Sequence, residues 1–175
     1  MDDPNAVEIY FVWVGSGELL DAVRQFISDV DVKSRARLIG WRTDVDQLLA
    51  GADIFLLTSE YESFGYVTCE AMAQGLPVVA TNVSGSIDII EHDVTGFLAP
   101  VGDTDAIARH VLRLAADPDL RNRMGKAGNR RVREAFNVEK MVSEVESLYT
   151  RLLARRNRKR SDGRGAVEET YRTSS

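Results

Sequence analysis

The stretch Asp53-Ile-Phe-Leu-Leu-Thr-Ser-Glu-Tyr-Glu-Ser-Phe-Gly-Tyr-Val-Thr-Cys-Glu-Ala-Met-Ala-Gln-Gly-Leu-Pro-Val-Val-Ala-Thr81 decides the fold. It opens with an unbroken apolar run of strand length and passes through a polar loop into the helical VTCEAMAQ. Gly75 stops that helix, and a second apolar run, residues 77–81, follows at once. Strands buried on both faces read as continuous apolar runs, and helices between them cover the faces of a parallel sheet. The segment predicts strand, loop, helix and parallel strand.

The same alternation extends outward. Residues 8–14 are β-branched and aromatic, and Gly15-Ser16-Gly17 follows as a tight turn. ELLDAVRQFI then places Leu19, Leu20, Val23 and Ile27 at helical spacing. Residues 36–39 form a short strand, and Thr43-Asp44 is placed to cap a helix through DVDQLLAGA. Beyond residue 81 come the loop NVSGS, a short helix over SIDIIEH and a small strand around residues 96–98. From Asp103 the pattern is helical. Asp103 is placed to cap one helix, Asp117-Pro118 to start the next, and Asn137 to precede VEKMVSEVESLYTRLLAR. No internal repeat is evident. The fold class is α/β, a Rossmann-like parallel sheet flanked by helices.

Composition bounds the alternatives. The 175 residues are 44% hydrophobic and 28% charged, which excludes wholesale disorder, collagen and disulfide scaffolds. The lone Cys69 cannot bridge internally. No apolar run nears the ~18 residues that span a bilayer, and the opening MDDPNAVE is too acidic and polar for a secretory signal. The expected location is therefore cytoplasmic. Charge is divided unevenly. Eight basic and three acidic residues lie after position 150, giving +5 there against −10 for the rest of a chain whose net charge is −5. An acidic body argues against nucleic-acid binding. The run ARRNRKR reads as a solvated helix end with weak attraction to a membrane surface. Residues 1–154 are expected as the folded domain. The basic, polar residues 155–175 are expected as a disordered tail.

Ligands of open parallel sheets bind beyond the carboxyl ends of the strands. Three stretches fall there: residues 15–17, 60–67 and 82–86. The middle one places Glu62 in the loop and Glu70 eight positions on, in the first turns of the helix. The backbone N–H groups of residues 64–67 then point outward from a helix N-terminus, an anion site that Gly65 lets a ligand approach closely. Carboxylates accept hydrogen bonds from sugar and ribose diols. A nucleotide sugar, with a diphosphate between hydroxyl-bearing ends, meets both demands. Acids near a helix start also suit the macrodipole without any ligand. Gly15-x-Gly17 lacks the third glycine of a dinucleotide fingerprint, so NAD is disfavoured. His92 and His110 read as surface or packing histidines, Cys69 as core, and no cluster has metal spacing. Ser59 and Ser63 have no partner histidine for hydrolase chemistry.

ADIFLLTSEYESFGYVTCEAMAQGLPVVATNVSGSIDII, with TGFLAPVGDTDAIARHVLRLAADPDLRNRMGKAGNRRVREAFNVEKMV, resembles the C-terminal half of a group 1, or family 4, retaining glycosyltransferase of the GT-B fold. VGSGELL and LIGWRTDVDQLLAGAD extend the resemblance over residues 9–153. It implies a donor-binding domain that transfers a sugar from a nucleotide-diphosphate sugar with retention. Glu62 would contact the sugar hydroxyls and stabilise charge at the anomeric carbon, and Glu70 would bind the ribose. Phe64, Gly65, Tyr66 and Val67 would hold the diphosphate through their backbone. Gly15 and Gly17 would border the nucleotide, with Trp41 and Arg42 near the base. Ser63 stands where the family has glycine, and fits if its φ is negative. No metal or other cofactor is implied. The family's diphosphate-clamping Arg and Lys have no match, since the first basic residue is Arg24. The acceptor-binding domain, or a partner chain in its place, is implied to lie outside these residues. The strand that ordinarily opens this domain is also unmatched, which predicts either unpaired strand edges or neighbouring strands forced together. The expected consequence is a chain inactive alone, a truncated or excised half of an enzyme. The competing readings are a stand-alone nucleotide-sugar-binding module or subunit, and a related epimerase.

Overall fold

The computed structural model describes the backbone of residues 7–30 and 32–172. The chain divides into two compact units, Met1–Val132 and Arg133–Ser175. The first alternates strands and helices. Its order is β1 (Phe11–Val14), α1 (Leu20–Asp29), β2 (Ala36–Gly40), α2 (Val45–Ala50), β3 (Phe55–Leu57), α3 (Tyr66–Ala73), β4 (Val78–Thr81), α4 (Ser84–Ile89), β5 (Gly96–Ala99) and α5 (Thr104–Ala116). α6 (Pro118–Ala135) runs across the division between the units. Every strand pairing is parallel, and Leu56, Val79 and Phe97 lie in register across β3–β4–β5.

The capping residues explain where the helices begin. Asp103 Oδ1 accepts the Ala106 N–H at 2.8 Å, and Asp117 Oδ1 accepts that of Leu120 at 2.8 Å. Gly75 closes α3 with φ +81°, a left-handed conformation that side chains disfavour. β4 is wholly buried. It joins Phe97, Val111, Leu114, Leu120 and Met124 in the main core, while Leu49, Ala71 and Leu76 form a second cluster beneath α2 and α3.

The parallel α/β class holds, with one difference in how its strands are grouped. The strands form two sheets, β1–β2 and β3–β4–β5, among the described residues. β1 and β3 thus present unpaired edges, as the unmatched strand predicts. Between them and α5 runs a groove of about 570 Å³, lined by Ile9, Phe11, Leu56, Thr58, Ile107 and Val111. Phe11, Val12 and Trp13 are each about half exposed, although their composition reads as a buried strand. Hydropathy fixes that these residues make a strand; burial depends on a neighbour that sequence periodicity does not specify.

Two local readings also change. Asp44 precedes α2 but makes no side-chain cap. Both its carboxylate oxygens accept from Arg42, at 2.8 and 2.6 Å, and a bidentate guanidinium outcompetes a single backbone N–H. In the second unit, α7 (Val138–Arg172) is a 35-residue helix started by Asn137, whose Oδ1 accepts the Lys140 N–H at 2.7 Å. The helix continues through residues 155–172, where composition predicts a disordered tail. Lack of large apolar residues rules out a packed core there. It does not rule out a helix, for which Arg, Lys, Glu and Ala are favourable. No helix among the described residues is long and apolar enough to cross a membrane.

Candidate functional site

The carboxyl ends of the strands carry the candidate residues in two groups. The first lies beyond β1 and β2. The Gly15 N–H donates to the Gly40 carbonyl at 2.8 Å, so the glycine turn after β1 abuts the start of the Trp41–Arg42 loop. Gly15 and Gly40 both have positive φ, +129° and +71°, and no neighbour would crowd a side chain at either. Conformation, not space, requires glycine there. Gly17 is exposed in the same turn. Trp41 is 77% exposed. Arg42 is held by Asp44, whose hydrogen bonds raise the guanidinium pKa and lower that of the carboxyl.

The second group lies beyond β3 and β4. Gly65 is buried and left-handed at φ +93°, and serves as the N-cap of α3. Tyr66 and Val67 form the first turn, where N–H groups have no preceding helical carbonyl to donate to. Phe64 and Tyr66 bring their ring centroids within 4.9 Å of each other beside the turn. Ser63 is not in the left-handed region, so its serine fits the position without strain. Glu62 is half-buried in the loop, and Glu70 stands exposed on α3. Two carboxylates thus flank one helix N-terminus at the end of a parallel sheet. A diphosphate could accept N–H bonds at the turn, while each carboxylate could accept from hydroxyls on either side.

The surroundings hold this second group firmly. The Thr81 hydroxyl donates to the Ser59 carbonyl, and the Gly85 N–H donates to the Glu62 carbonyl at 2.9 Å. Beneath the turn lie the Thr68 and Ser86 hydroxyls, both fully buried and without a hydrogen-bond partner among the described residues. Gly85 lies in the 82–86 stretch that sequence places beyond the sheet, but sequence assigns it no individual role. Its only signal there is a glycine at the start of a helix in NVSGS, and its contact with the loop is non-local.

The remaining candidates resolve structurally. His92 and His110 pack at 5.9 Å between ring centroids, with His110 stacked on Phe97 at 4.5 Å. The Leu98 N–H donates to His92 Nδ1 at 2.9 Å. Burial, with nearby His92 and Arg109, lowers the His110 pKa. Cys69 is half-buried, and burial raises its thiol pKa, which disfavours a nucleophilic thiolate. Among the described residues no group of three or more His, Cys, Asp or Glu could hold a metal. The groove beside β1 contains neither Glu62 nor Glu70 and belongs to the split between the sheets.

Comparison with known proteins places the chain. The family described as "Glycosyl transferases group 1" matches residues 3–131. The N-acetyl-alpha-D-glucosaminyl L-malate synthase of Bacillus anthracis is 38% identical over 143 residues, 82% of this chain and 38% of that protein. The UDP-Gal:alpha-D-GlcNAc-diphosphoundecaprenol alpha-1,3-galactosyltransferase of Escherichia coli is 32% identical over 79% of this chain and 36% of its own length. Among solved structures, HepE of Anabaena, crystallised with UDP and glucose, superposes with a TM-score of 0.76 at 26% identity, covering 81% of this chain and 40% of that one. The chain therefore spans well under half the length of these relatives.

Proposed function

The chain belongs to the group 1 glycosyl transferases, and from that premise we propose that it binds a nucleotide-diphosphate sugar at the loop before α3 and serves as the donor half of a retaining glycosyltransferase. The observation that carries this reading is the left-handed Gly65 N-cap, with Glu62 just before it and Glu70 just after. The N–H groups of residues 64–67 receive the diphosphate, the Glu70 carboxylate accepts from the ribose diol, and Glu62 accepts from the sugar hydroxyls. Gly15 and Gly17 border the nucleotide, and Trp41 and Arg42 lie toward the base. With the Asp44 carboxylate paired to two of its five N–H donors and offsetting its charge, Arg42 contributes shape and stacking more than net charge.

The chemistry follows from the same placement. As the bond from the anomeric carbon to the diphosphate oxygen stretches, positive charge grows on the sugar and negative charge on the leaving group. Glu62 favours the first, and the N-terminus of α3 favours the second. That terminus supplies only about half a charge, and residues 1–23 contain no Lys or Arg. We assign the rest of the neutralisation, and the acceptor, to a further domain or partner chain, with no metal required. This chain alone then binds donor but transfers sugar slowly or not at all. The test is calorimetric titration with UDP-, GDP- and ADP-sugars beside Glu70→Ala. Binding that the substitution abolishes supports the reading, and no heat for any donor refutes it. Turnover by this chain near the ~1–10³ s⁻¹ of ordinary enzymes would refute the incompleteness.

A further inference from the structure

We propose that Gly85 is a positioning residue that holds Glu62 in place. The inference rests on the donor-binding role given to Glu62 above. The Glu62 carboxylate has no hydrogen-bond or ion-pair partner among the described residues. Its location is therefore set by the backbone that carries it. The Gly85 N–H, in the first turn of α4, fixes that backbone by donating to the Glu62 carbonyl at 2.9 Å. The approach is so close that a β-carbon on Gly85 would sit 2.7 Å from the Glu62 carbonyl oxygen and 2.8 Å from that of Phe64. Both obstacles are backbone atoms, which cannot rotate aside.

Gly85 has no positive φ to explain it. In a helix, alanine would be favoured by about 1 kcal/mol. Space alone requires glycine. On the opposite side, a β-carbon on Gly65 would lie 3.4 Å from Glu62 Cγ and 3.4 Å from Thr68 Oγ1. The segment from Glu62 to Gly65 is thus pinched between the α4 turn and the α3 cap. The Thr81 hydroxyl holds the same loop at Ser59. Gly85→Ala must push the Glu62 and Phe64 carbonyls outward and swing the carboxylate away from the sugar while leaving Glu70 in place.

The experiment compares UDP with UDP-glucose, and GDP and ADP with their glucose conjugates, by titration of the full chain. The quantity read is the factor by which the sugar improves affinity over the bare diphosphate. Gly85→Ala should cut that factor about tenfold, the scale of one lost hydrogen bond to a charged group; any loss at the diphosphate, which the displaced Phe64 backbone also borders, weakens both ligands alike and cancels in the factor. Glu62→Gln should do the same, and the double variant should lose no more than either single one, because both act through one carboxylate. A Gly85→Ala chain that keeps the sugar factor, or a double variant whose losses multiply, overturns the proposal. Amide hydrogen exchange supplies a test independent of ligand, and its first readout, on the unsubstituted chain, is also independent of the variant's folding. The Gly85 N–H must be strongly protected, and Gly85→Ala must deprotect residues 60–65 while β4 stays protected. A fast-exchanging Gly85 overturns the positioning role. Absence of nucleotide binding with a protected Gly85 refutes the donor reading instead.

Discussion

Removing the Phe97 ring tests the packing and the electrostatics of the main unit together. Phe97 is fully buried in β5 and belongs to one core cluster with Val79, Val111, Leu114, Leu120 and Met124. Its ring stacks on His110 with 8° between planes, and the Arg113 guanidinium lies 5.0 Å from its centroid. Truncation to alanine deletes the ring and leaves a cavity, a loss of about 3–5 kcal/mol in comparable cores. The stacking contact adds about 0.5–1.5 kcal/mol. Domains are stable by about 5–15 kcal/mol, so Phe97→Ala should fold marginally, while Phe97→Leu should lose much less.

The pH arm follows from His110. Its folded pKa lies below the ordinary value near 6.5, first because burial disfavours the imidazolium and then because His92 and Arg109 repel it. The unfolded chain therefore binds a proton before the folded one does. Stability contributed by neutral His110 is complete above about pH 6.5 and declines as pH falls toward the lowered folded value. Urea unfolding followed by circular dichroism between pH 5 and 8 should show this slope, and in Phe97→Leu the slope should flatten as water reaches the imidazole. An unfolding midpoint unchanged in Phe97→Ala would refute the core assignment. Stability that rises on acidification through this window, or an unaltered slope in Phe97→Leu, would refute the electrostatic account.

Two further outcomes follow. Asp103→Ala removes the acceptor for the Ala106 N–H and should lower stability by about 1 kcal/mol, whereas Asp103→Asn keeps most of it; equal melting points for wild type and alanine would contradict the cap. Val12→Lys places a charge on the half-exposed free edge of β1 and should reduce concentration-dependent association in light scattering without lowering the melting point by more than a degree or two.

The local elements were legible because their determinants are local. The run at residues 53–58 and the buried strand at 78–81 differ little from what hydropathy predicts. Asp103, Asp117 and Asn137 accept the backbone N–H bonds that their positions before helices suggest. Pairing between strands was not legible, since whether β1 meets β3 depends on what fills the space between them. Asp44 shows the same limit on a smaller scale. It has two acceptable partners, and the Arg42 fork takes it from the helix. For the site, the Glu62–Glu70 spacing and the open backbone at Gly65 were readable from sequence, whereas the left-handed cap at Gly65 appears only in the structure. Gly85 was not readable either, because the reason for its glycine is a carbonyl 23 positions away at Glu62.

The most direct test of the account is the affinity of this chain for a nucleotide-diphosphate sugar, with and without Glu70. A panel of UDP-, GDP- and ADP-sugars should yield saturable binding of at least one donor, weakened about tenfold or more by Glu70→Ala, as the loss of a charged hydrogen-bond acceptor requires. Binding indifferent to that substitution would place the nucleotide elsewhere. Saturable binding by none of the donors would contradict the central claim outright.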